Sequence, residues 1–157
     1  MSTARRCGLP NDATMITASP VHSTTWVLRL KGLTDSTSFH PNLDREEKIA
    51  FLQSLDVFSV PATYPEAFGM YLAEALAAGV PVVQPRFASF PEFVESTGGG
   101  VLYEPGDPNA LADALEALLL DPDKAQSLGR IGQQAVHAKF STARMARKMC
   151  ELVESLA

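Results

Sequence analysis

Cysteine is nearly absent from this chain. Its 157 residues include two, Cys7 and Cys150, too few and too far apart for a disulfide framework or a zinc site. Neither has a visible partner that would activate its thiol. The three histidines, His22, His40 and His137, lack the H-x-x-x-H type of spacing that holds a metal. Positive charge is not in excess. Thirteen Lys and Arg stand against eighteen Asp and Glu, for a net charge of -5, which argues against a nucleic-acid binder with its basic surface. No apolar run approaches the ~20 residues that cross a bilayer. The first twenty residues are polar and have no apolar centre of the secretory kind. The cytoplasm is the compartment these absences lead one to expect. There is no G-x-S-x-G elbow, which speaks against a serine hydrolase of the usual α/β type.

Apolar residues make up 46% and charged residues 20%, the balance of a soluble globular domain with a core. The text changes character near residue 38. Residues 1–38 are rich in Ser, Thr, Arg and small residues, and read as a leader of separate origin with one candidate strand, "TWVLRL", at 25–30. From Phe39 the text is regular. Asp44 is placed to cap a helix over 45–54, with Ile49, Leu52 and Leu55 at helical spacing. "DVFSVPA" (56–62) is a short apolar run and reads as a buried strand. A loop at 63–67 leads to a helix over 68–78, stopped by Gly79. "VPVVQ" (80–84) reads as a second buried strand. Ser89 to Glu92 reads as a capping box around a proline, opening a helix to about residue 95. "GGVLYEP" (99–105) gives a third strand. Asp107-Pro108 and Asp121-Pro122 each open a helix, and Ser141 caps a last one to Leu156. Leu111, Leu115, Leu118 and Leu119 fall at core spacing.

Strands alternating with helices imply an α/β fold, a parallel sheet with right-handed crossovers flanked by helices. Ligands of such sheets sit outside the carboxyl ends of the strands. The loop at 61–68 leaves that end of a central strand. It carries Glu66, and Glu74 follows eight positions on in "PEAFGMYLAEALAAGVPVV". A helix opening at Phe68 presents amides without intrahelical partners, reinforced by the helix dipole. Gly69 has no side chain to block a ligand from them. That is a seat for an anion such as phosphate. Glu74, roughly 8–9 Å further along the helix, is placed to accept hydrogen bonds from a ribose diol. Glu66 can do the same for hydroxyls on the other side. A nucleoside-diphosphate sugar has that order of groups.

These residues resemble a known family. Glu66, seven residues, then Glu74, within that stretch, looks like the E-x7-E motif of retaining glycosyltransferases of the GT-B fold, family 4. "FHPNLDREEKIAFLQSLDVFSVPATYPEAFG" is similar to the preceding strand–helix–strand, and "GGGVLYEPGDPNALADALEALLLDP" to the following segment. The resemblance covers 39–157 and identifies that span as a partial Rossmann-like domain, the C-terminal half of a GT-B fold. It implies that Glu66 is the catalytic residue and contacts donor-sugar hydroxyls. The amides near Phe68, Gly69 and Met70 would hold the diphosphate, and Glu74 the ribose. Transfer would retain configuration, with no obligatory metal and no cofactor.

The resemblance also implies a fragment. The acceptor domain of such enzymes has no counterpart here, nor do the opening strand–helix units with their Arg and Lys. "LRLKGL" (28–33) echoes their Arg…Lys-Gly text at too short a spacing, and reads as chance. A sheet lacking its first strands exposes an edge, so a homodimer or higher oligomer is expected. Two other readings stand beside the transferase. One is a non-catalytic oligomerising module with a vestigial site. The other is a new hydrolytic activity in the opened cleft, using Glu66 with His40. Arg144, Arg147 and Lys148 form a basic, solvated face on the last helix.

Overall fold

The computed structural model describes Ser38 and residues 40–156. The expected strand at 25–30 lies outside them. Helix α1, Arg45–Gln53, begins at Asp44. The Asp44 carboxylate accepts from the Glu47 amide at 2.9 Å, and the Glu47 carboxylate accepts from the Asp44 amide at 3.0 Å. Two of the helix's unpaired donors are thereby satisfied reciprocally. Strand β1, Phe58–Ser59, is followed by α2, Met70–Ala77, β2, Val82–Pro85, and α3, Phe90–Thr97. Then come β3, Gly100–Tyr103, and helices α4, Pro108–Leu119, α5, Pro122–Lys139, and α6, Thr142–Ser155. Asp107, Asp121 and Ser141 cap α4, α5 and α6 through their side chains, as their positions before Pro or Thr led one to expect.

The strands form a parallel sheet in the order β1-β2-β3. Its central strand is buried on both faces, which is why it reads as an unbroken apolar run. Val82 joins Leu72, Leu76, Phe90, Phe93 and Val94 in one core layer, under α2 and α3. Val83, one residue on, points the other way and packs with Tyr103, Leu118 and Ala125 under α4 and α5. Helix α5 lies against α2 and the start of β3 because Gly132 allows it. A Cβ there would stand 2.6 Å from Leu76 Cδ2 and 2.8 Å from Gly99 Cα.

Two local expectations are corrected. The run at 56–62 pairs only at Phe58 and Ser59, because the chain turns at once. The Ala62 amide donates back to the Val60 carbonyl at 2.8 Å, and Pro61 between them has no amide for a ladder. Ser89 makes no capping box. Its backbone is helical and its side chain caps nothing. The hydroxyl donates instead to the Glu66 carbonyl at 2.8 Å, a tertiary contact 23 residues away in sequence. Among the described residues no helix is long and apolar enough to cross a membrane.

Candidate functional site

The chain leaves the carboxyl end of β1 and reaches Glu66 in a tight turn. The Glu66 carboxylate folds back on its own backbone. Its Oε1 accepts from the Ala67 amide at 2.9 Å and, at a longer 3.4 Å, from the Phe68 amide. Ser89 ties the loop after β2 to the same residue. Gly69 then takes φ 72°, a left-handed backbone that a side chain would strain, and α2 opens at Met70. The helix thus starts two residues later than expected at Phe68, because Gly69 breaks the helical run. The Leu72 amide donates to the Gly69 carbonyl at 2.8 Å. The amides of Gly69, Met70 and Tyr71 have no acceptor among the described residues. The unoccupied donors are therefore centred on Met70, and the Phe68 amide is covered by Glu66.

Phe68 anchors this turn. Its ring meets Phe93 and Phe140 edge-on, with centroids 5.7 and 5.8 Å away. Tyr71, on the first turn of α2, has its hydroxyl pushed up to about 12, by burial first and then by the negative charge of Glu66, with a smaller contribution from Tyr64. Glu74 stands one turn into α2, about 6 Å along the axis from Met70. Its Oε1 accepts from Lys48 Nζ at 2.6 Å, with both side chains partly exposed. Lys48 belongs to α1 and was not singled out from the sequence. A pairing between residues 26 apart in the chain leaves no local pattern to find.

His40 is held elsewhere. Its Nε2 pairs with Ser38 Oγ at 3.1 Å and its ring lies 5.0 Å from that of Phe51 on α1. Arg86, just past β2, pairs with Glu95 at 3.0 Å. Among the described residues no cluster of side chains suits a metal. A groove of about 620 Å³, lined by Leu55, Asp56, Pro81 and Leu118 among others, lies at the amino ends of the strands. It is at the opposite end of the sheet from Glu66 and Glu74, where the rule for parallel sheets puts no ligand.

The chain matches the family described as glycosyl transferases group 1 over residues 28–135. It belongs to that family. The matched span of this group 1 chain opens at Leu28, ahead of the compositional break at residue 38. Among curated relatives, the D-inositol 3-phosphate glycosyltransferase of Corynebacterium diphtheriae is 35% identical over 143 residues, covering 91% of this chain and 32% of that protein. The phosphatidyl-myo-inositol mannosyltransferase of Mycobacterium leprae is 33% identical over 126 residues, covering 80% and 33%. The chain thus spans about a third of the length of these curated relatives. Among solved structures, sucrose-phosphate synthase from Thermosynechococcus elongatus aligns with a TM-score of 0.77 and 32% identity, over 85% of this chain and 33% of that one. HepE of Anabaena, solved in complex with UDP-glucose, aligns with a TM-score of 0.73 and 22% identity, over 90% of this chain and 40% of that one. The fold of this group 1 chain is α/β, a parallel sheet flanked by helices, and it matches GT-B glycosyltransferase structures.

Proposed function

We propose that this chain carries the donor site of a retaining GT-B glycosyltransferase of family 4, and binds a nucleoside-diphosphate sugar at the carboxyl end of its sheet. The observation that carries the reading is the row of unpartnered amides at Gly69, Met70 and Tyr71, set between Glu66 and Glu74. The amides hold the diphosphate and take up the charge that develops as it leaves the sugar. The free oxygen of Glu74 accepts from the ribose diol. Glu66 accepts from hydroxyls of the donor sugar and is the catalytic residue. The structures of HepE in complex with UDP and with UDP-glucose, and a GDP-mannose-dependent mannosyltransferase relative from Mycobacterium tuberculosis, support a nucleotide-sugar partner. They favour a transferase over an oligomerising module or a hydrolase.

Calorimetric titration of the chain with UDP, GDP and ADP tests this. At least one is expected to bind in the millimolar range. Glu74→Ala is expected to weaken it about tenfold, since a hydrogen bond to a charged group contributes ~1.5–3 kcal/mol, less where solvent screens it. Silence toward all three nucleotides, or binding that Glu74→Ala leaves unchanged, would refute the assignment.

A further inference from the structure

We propose that Lys48 is a positioning residue for Glu74 and sets how strongly the site prefers a ribose diol. The inference rests on the reading that Glu74 holds the ribose. A glutamate one turn into a helix has three rotatable bonds and, alone, no fixed aim. Here Lys48 Nζ holds Oε1 at 2.6 Å, leaving Oε2 without a partner among the described residues. One oxygen is fixed and the other is presented. The lysine is itself well placed for this. The reciprocal cap between Asp44 and Glu47 fixes the start of α1, and Leu52 and Leu55 are buried against the layer that includes α2.

The charges argue the same way. The proposed site brings a diphosphate to a turn that already holds the Glu66 and Glu74 carboxylates. Lys48 pairs with Glu74, whereas Arg86, just past β2, pairs with Glu95, so Lys48 is the cation seen in contact with a site glutamate. Its contact to Glu74 crosses from one helix to another, and both side chains remain over a third exposed. An exposed pair of this kind contributes little to stability, so its effect is to be sought in binding.

The test takes the tightest-binding of UDP, GDP and ADP, together with its 2′,3′-dideoxy counterpart, and measures both affinities for the whole chain. The wild-type preference for the ribonucleotide is expected to be on the order of tenfold. Lys48→Met is expected to cut that preference below about threefold, with the far-ultraviolet circular dichroism unchanged, while Lys48→Arg keeps most of it. A preference that survives Lys48→Met overturns the proposal. So does an equal loss for both nucleotides, which would put Lys48 on the diphosphate or in the scaffold. Loss of preference in Lys48→Arg as severe as in Lys48→Met would point to packing rather than charge and overturn it too. Absence of any binding by the wild-type chain, or an unchanged preference in Glu74→Ala, would instead bring down the underlying ribose assignment.

Discussion

Gln84 sits in the central strand with 0% of its surface exposed, and neither its Oε1 nor its Nε2 has a hydrogen-bond partner among the described residues. Strand alternation puts it on the face of Val82, where Phe90 and Phe93 pack. An amide removed from water without a partner costs about 1–3 kcal/mol by the scale of protein mutations. Methionine has the same unbranched length and no amide to satisfy, and its flexible thioether fills irregular space. The two side chains lose similar rotamer freedom on burial. Gln84→Met is therefore expected to stabilise the chain by about 1–3 kcal/mol. At roughly 2–4 °C per kcal/mol for a chain of this size, Tm should rise by about 2–12 °C. Urea unfolding followed by circular dichroism should show a higher midpoint at an unchanged slope. A fall in stability of more than about 0.5 kcal/mol would refute the reasoning, because it would mean the amide is hydrogen-bonded after all.

Three further outcomes follow from the packing and from the charges. Gly132→Ala should destabilise by about 1–3 kcal/mol, since its Cβ would press on the Gly99 backbone and Leu76; a denaturation midpoint equal to wild type would contradict the close approach. Tyr71, raised from 10.0 to about 12 by burial first and the Glu66 charge second, holds its proton more tightly folded than unfolded. Its contribution to stability is thus full below pH 10 and is lost as pH rises through about 12. Tyr71→Phe should flatten the loss of stability across that window. Glu66→Gln should lower the Tyr71 titration, followed by tyrosinate absorbance, without returning it to 10.0, because burial remains. A titration unmoved by Glu66→Gln would show that the two groups do not face each other.

What was legible in the chain was local. Asp44, Asp107 and Asp121 announced three helices because a cap and its amides lie within three residues of each other. The left-handed Gly79 just past α2 and the apolar run through Val82 and Val83 were as readable, and with the alternation of strands and helices they led to the parallel α/β class. The misreadings were of residues whose partners lie far off. Ser89 has the text of a capping box, yet its hydroxyl goes to Glu66. Phe68 looks like the first residue of a helix, yet its ring is held by Phe93 and Phe140 and the break comes at Gly69. Lys48 meets Glu74 only after α1 and α2 pack. Both glutamates could be placed near one turn from their spacing, but which groups they touch depended on contacts between elements.

Those contacts change the electrostatic reading of the site. Taken alone, the two glutamates and a net charge of -5 make a poor host for a diphosphate. At about 6 Å, a carboxylate and a single phosphate charge repel by roughly 0.7 kcal/mol in a water-like dielectric, the regime that suits partly exposed groups. The folded chain moderates this in two ways. Glu66 spends its charge on the Ala67 and Phe68 amides, on the strand side of the turn, and so leaves the later amides uncovered. Lys48 offsets Glu74 at 2.6 Å, an attraction at shorter range than the repulsion it opposes. Under the proposed assignment, a diphosphate at Gly69 to Tyr71 would meet donors whose nearest acidic neighbours are already partnered. On that same assignment, the Glu74 oxygen that Lys48 leaves without a partner is the acceptor for the ribose, while Glu66, which also meets the Tyr71 hydroxyl, is the acceptor on the sugar side, so the groups that would repel the phosphate become acceptors on either side of it.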